Sequence, residues 1–176
     1  MASSIERIRE HHAALETRFD RLTSLLERDD DQLFLRAPAV SGWSVAEQLH
    51  HTAAATGRML AAVERIAQQK PPAADGGKVT VIGRAVLMTG RFPRGKGKAP
   101  KGTIPPEQFD RAELERALTR CRGTYDRIPP LFEAAAGSTF RVEHPYFGWL
   151  SAEQWLRLAA VHADHHFLII GDIDAA

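Results

Sequence analysis

Four short strings along this chain each place a helix-capping residue three positions ahead of a glutamate or glutamine: Ser3 and Glu6, Ser44 and Glu47, Asp110 and Glu113, Ser151 and Gln154. In such a box the first side chain accepts from the amide three residues on, and the second reaches back to the amide of the cap. A single match means little, because these residue types are common. All four are followed here by apolar residues at helical spacing, which predicts four helices. The first covers about residues 4–28, with Ile5, Ile8, His12, Leu15, Phe19, Leu22 and Leu26 stepping by threes and fours along one seam. The second runs from Ser44 to about Gln69, where Pro71 and Pro72 close it. Its buried side is Val45, Leu49, Thr52, Thr56, Met59, Val63 and Ile66, with His51 on the flank and His50 further round towards solvent.

The third helix spans about 110–136, with Leu114, Leu118, Cys121, Tyr125, Ile128 and Phe132 as its stripe. Pro129 and Pro130 predict a kink or break within it, and Gly137 its end. His144 to Ser151 reads as a tight connection into the fourth helix, rich enough in aromatics to wall a pocket. Residues 70–109 carry loop signals, Pro71-Pro72, Gly76-Gly77 and Pro105-Pro106. Only Val79 to Phe92 is apolar enough to dock as a short helix or cover, and the cluster Arg91, Arg94, Lys96, Lys98 and Lys101 reads as a solvated tip or an anion-attracting patch.

The last helix carries the chemistry. Residues four apart share a helix face, so His162 and His166 join the apolar stripe of Trp155, Leu158, Ala159 and Ile169 and point inward. Burying an imidazole without a partner costs about 1–3 kcal/mol. Two readings meet that cost: a pair of hydrogen-bonded core histidines, or a pair of metal ligands, since neutral imidazole is a common metal donor. Other arrangements are excluded. A di-iron bundle needs two Glu-x-x-His pairs, and only Glu47 with His50 supplies one; a zincin needs glutamate at position 163, which is alanine.

The formal net charge of +1 argues against a nucleic-acid or membrane binder. No run approaches the roughly 20 apolar residues of a membrane span, and the first residues lack the pattern of a signal peptide. A cytoplasmic location is the resulting expectation. Cys121 is the lone cysteine, so cysteine-rich zinc sites are excluded, and its place on an apolar face reads as core packing.

Trp43-Ser44 with His51 eight residues after the tryptophan, together with His162-x-x-x-His166, resembles the DinB-like family of metalloproteins. The connection His144-Pro145-x-Phe147-Gly148-x-Leu150-Ser151 is similar to one branch of it. The resemblance covers essentially the whole chain as one domain, 1–176. It implies an all-α, antiparallel four-helix bundle with a long insertion, 70–109, between the second and third helices. It further implies a divalent metal, zinc or nickel, held by His51, His162 and His166. Three histidines with an open position make the layout of a catalytic site, and related proteins include transferases that use low-molecular-weight thiols. The expectation is a metal-dependent enzyme, a thiol transferase or a hydrolase, acting on a small-molecule substrate or thiol, with a homodimer as its assembly. The alternative is a binding or stress-response module whose metal is structural or absent, its sign being a fourth ligand such as His12 or His144. Glu47, His165 and His144 are the candidates to support the ligands; His165 stands about 80° off the stripe at helical spacing. No catalytic base can be named.

Overall fold

A computed structural model describes residues 2–92 and 98–176. Four long helices frame it, each where a capping string predicts one: α1 (Ser4–Leu26), α3 (Val45–Ala67), α5 (Arg111–Asp126) and α7 (Ala152–Asp174). Between them lie the short helices α2 (Asp30–Leu33), α4 (Val81–Thr89) and α6 (Phe132–Gly137). The capping box is complete at Ser3, Ser44 and Ser151. At Asp110 only the forward bond forms, because the Glu113 carboxylate is drawn instead to Arg116 and Arg120. Pro129 and Pro130 do break the third helix, through a 3₁₀ turn at Pro129–Leu131 that leads into α6.

The core lies between α3 and its neighbours. α3 packs on α7 and α5, and α1 packs on α7 and α6. Leu49, Leu60, Val63, Ile66, Leu114, Leu156 and Leu158 are completely covered there. Outside it, the helices are tied by arginine–carboxylate pairs: Arg18 to Asp164 at 2.7 Å, Arg28 to Asp174 at 2.8 Å and Arg122 to Glu16 at 2.6 Å. Among the described residues no helix is long and apolar enough to cross a membrane.

The fold is mostly helical but not wholly so. The stretch expected as a tight connection is a hairpin of β2 (Phe140–His144) and β3 (Gly148–Leu150), and β1 (Ala74–Asp75) adds a third antiparallel strand. The turn requires Gly148, whose φ of 74° lies in the left-handed region. α4 then docks beside the hairpin. Val86 and Leu87 are buried, and Arg157 of α7 donates to the Leu87 carbonyl. Within the span 70–109 the described residues thus include a strand and a docked helix, and of the predicted basic cluster Arg94 and Lys96 lie outside the described residues.

A second difference concerns His50, which the spacing along α3 turns towards solvent. It is buried, because the segment after residue 98 folds back over α3 and sets Phe109 5.3 Å from its ring. The first two and a half turns of α3, Val45 to Ala53, are buried throughout. Its N-cap is correspondingly sensitive. Ser44 is fully buried, and Ser44→Ala removes the acceptor for the Glu47 amide. The expected loss is about 1 kcal/mol, seen as a fall of about 2–4 °C in thermal unfolding for a chain of this size.

Candidate metal centre

His51 comes from α3, and His162 and His166 from α7, so the packing of these two helices is what brings them together. The three rings meet through one nitrogen each. Nε2 of His162 lies 3.2 Å from Nε2 of His51 and 3.2 Å from Nε2 of His166. All three residues are buried, and their ligand atoms lie within 4.8 Å of one another.

Which nitrogens carry protons follows from the outer partners. His51 donates from Nδ1 to the carbonyl of Thr103 at 2.8 Å. His166 donates from Nδ1 to Oε1 of Gln48 at 2.6 Å, and Gln48 is held in that orientation by its Nε2, which donates to Ser41 Oγ at 2.9 Å. Both rings therefore carry the proton on Nδ1 and turn an Nε2 lone pair towards His162. A proton on His162 Nε2 can satisfy one of those lone pairs but not both. A divalent cation satisfies all three nitrogens. Two imidazoles bound at about 2.0–2.1 Å around a tetrahedral ion stand about 3.3 Å apart, and the observed spacing is close to that.

Burial adds to the case. It holds all three imidazoles below the usual histidine range, His162 and His166 well below. Neutral imidazole is the ligating form, so little proton competition remains near pH 7. His162 Nδ1 is buried without a hydrogen-bond partner among the described residues. The donor set, three neutral nitrogens on two rigid helices with two of them fixed from outside, fits a divalent metal.

The remaining candidates have other places. Glu47 is spent on its own helix: its carboxylate accepts from the Ser44 amide at 2.6 Å and pairs with Arg36 at 2.8 Å. Its neighbour Gln48 is the residue that touches a ligand. His165 lies against Phe92, ring centroids 5.5 Å apart, and meets His166 edge-on at 5.1 Å. His144 stacks on Phe147 at 4.4 Å, and its Nδ1 accepts from the amides of Tyr146 and Phe147, which puts its proton on Nε2. His12 is remote from the site, stacked on Tyr125 at 3.9 Å and donating to that residue's carbonyl. Among the described residues neither His12 nor His144 joins the three-histidine group. Cys121 packs in the core, its thiol pushed up to about 12 by burial, which leaves no thiolate.

A cavity of about 560 Å³ opens beside the three histidines. Trp43, Met59, Phe92, Val142, Phe147 and Trp155 line it, with His144, His165, Arg58 and Lys98. Tyr146, at the hairpin turn, closes towards the far side by donating to the Lys98 carbonyl at 3.2 Å. Of these residues, sequence reasoning missed Gln48, Thr103 and Arg58. Gln48 left a trace, an amide just off the inward stripe one turn before His51. Thr103 acts through its backbone, which no side-chain pattern reports.

An acid limit follows from two histidines outside the triad, the buried His12 and the half-buried His144. Burial lowers His12, and it pushes His144 down to about 4. The unfolded chain protonates these rings at about pH 6.5 while the fold keeps them neutral, so it binds more protons below that pH. Their contribution to stability is complete above about pH 6.5 and is lost as pH falls towards 4. Thermal unfolding of metal-free protein is expected to shift down by several degrees between pH 7.5 and pH 5, with no such loss between pH 8.5 and pH 7.5.

A sequence profile of the DinB superfamily matches residues 14–170, a span that contains all three histidines, Gln48 and the cavity walls. No curated protein matches the chain, and no solved structure does. The profile covers most of the chain and the helices that carry the site, and on that ground the chain belongs to the DinB superfamily.

Proposed function

We propose that this chain is a divalent-metal-dependent enzyme in which His51, His162 and His166 hold one ion, zinc or nickel, and which acts on a small molecule together with a low-molecular-weight thiol. The four long helices are taken as the antiparallel bundle of the superfamily, with α4 and residues 98–109 packed over it. The observation that carries the reading is the convergence of three buried Nε2 atoms, that of His162 lying 3.2 Å from each of the other two, whose lone pairs are set by outer hydrogen bonds. The cavity beside them supports catalysis over a purely structural role, because a structural ion is closed off by a fourth protein ligand.

A bound divalent ion supplies Lewis acidity, which lowers the pKa of a thiol or water in contact with it. The chain's own residues do the rest. Gln48 and Thr103 fix the ring orientations of His166 and His51. Trp43, Met59, Phe92 and Trp155 exclude water from the reacting end. His144 holds a proton at Nε2 on the cavity wall and can donate it as a hydrogen bond to a bound substrate.

Elemental analysis of protein purified without chelators or an affinity tag of histidines tests the site. About one equivalent of a divalent metal is expected. Protein that is metal-free and takes up neither zinc nor nickel would refute the reading. Metal-dependent consumption of a thiol in the presence of an electrophilic haloarene then tests the reaction; a loaded protein inert towards thiols rejects the transferase assignment while leaving the metal centre standing.

A further inference from the structure

Several arginines on the outer helix faces are neutralised, as with Arg7, Arg18, Arg28, Arg111 and Arg122, each paired to a carboxylate. Arg58 is different. Among the described residues it has no carboxylate partner, and its guanidinium Nε makes one weak hydrogen bond, to the Gly102 carbonyl at 3.3 Å. Gly102 lies close against it, and a Cβ there would push the guanidinium aside. Arg58 also lines the cavity, on the α3 face that carries His51, Ala55, Met59 and Ala62. Lys98 stands at the same cavity, and no acidic residue lines it among those described.

We infer that the cavity is a binding site for an amphipathic organic anion whose charge is received by Arg58 and whose apolar body lies between Met59, Phe92, Phe147 and Trp155. This deepens the function proposed above by naming its substrate class, and it rests on that reading only for which end of the molecule reacts. The physical argument is one of complementarity. With no carboxylate partner among the described residues, the guanidinium at the rim of this apolar cavity is left to pair with an incoming anion, whose apolar part the cavity can bury. The floor adds no negative charge, because its donors are three neutral imidazoles rather than carboxylates. Geometry bounds the ligand's length. Arg58 lies seven residues beyond His51, about 10 Å along the helix axis at 1.5 Å per residue. The charged group therefore sits at one end of an elongated molecule and the histidines meet the other.

Equilibrium dialysis with three probes on one scaffold tests this: naphthaleneacetate, its neutral amide, and the corresponding naphthyl amine. The protein is used in full length, stripped of metal, so that selectivity is read independently of any ion. The carboxylate is expected to bind about tenfold tighter than the amide, with the amine weakest. Arg58→Gln is expected to bring the carboxylate close to the amide while leaving the amide's own affinity unchanged. Arg58 is exposed and makes one weak bond, so this variant folds; Lys98→Gln gives a second, smaller loss of the same kind. Equal binding of carboxylate and amide, tighter binding of the amine, binding of none of the three, or unchanged selectivity in Arg58→Gln each overturns the inference. Failure of metal uptake with selectivity intact would remove the enzyme reading and leave the anion site. Loss of selectivity with metal uptake intact would do the reverse.

Discussion

Replacing His162 by alanine is expected to reduce the bound metal from about one equivalent to near zero, and to abolish the stabilisation that added metal gives. The reason lies in the geometry. His162 Nε2 is the atom from which both other ligand nitrogens are 3.2 Å away, so its loss leaves one imidazole on each of two helices rather than a three-point cage. A ligand that binds only the folded state stabilises it by RT ln(1 + [L]/Kd), which is about 2.7 kcal/mol at a hundredfold excess over Kd. For a chain of this size that is a rise of about 5–11 °C in unfolding temperature on adding zinc or nickel to the metal-free wild type. His162→Ala should show none. The variant should nevertheless fold without metal, because the ring it removes is buried with Nδ1 unpartnered, and burying such a nitrogen costs about 1–3 kcal/mol. Retention of a full equivalent by a folded His162→Ala protein would place the ion elsewhere.

Much of this frame is legible from residue types alone, and the boundary of what is legible has a physical origin. Capping strings and helical spacing report the bonds a chain makes within about one turn of itself, and so all four long helices appear where expected. The pair His162 and His166 is visible for the same reason, since four residues on one helix fix a common face. His51 is not visible that way. It lies on the flank of its own stripe, and only the family resemblance joins it to the pair; its burial comes from the segment after residue 98 crossing α3, which places the Thr103 carbonyl on its Nδ1 and covers His50 as well. The hairpin is hidden for a related reason. Phe140 to Leu150 contains a strand pair only because Gly148 turns it and residues 74–79 pair along its edge. Glu47 illustrates the opposite error. One turn before His51 it looks placed to support a ligand, yet the same residue is the second half of a capping box and satisfies that first.

Gln48 offers the finer test, because it separates a site that merely packs from one built to bind. Its Oε1 takes the His166 Nδ1 proton at 2.6 Å while its Nε2 is anchored on Ser41. Gln48→Leu keeps the volume and removes the acceptor. His166 then has no partner to hold its proton on Nδ1 and its lone pair on Nε2, and the ring loses its orientation. Changes of this kind weaken metal binding about 10- to 100-fold, which competition with a chelator of known affinity would measure. Gln48→Glu supplies the control. A carboxylate accepts the same proton more strongly than an amide and makes the imidazole a better donor, and Ser41 can turn its hydroxyl to donate to it. The glutamate variant should therefore bind metal at least as tightly as wild type. If Gln48 served only to fill space between α3 and α7, leucine would be tolerated and glutamate, a buried charge, would be the damaging change; the order of the two variants decides between an acceptor and a spacer.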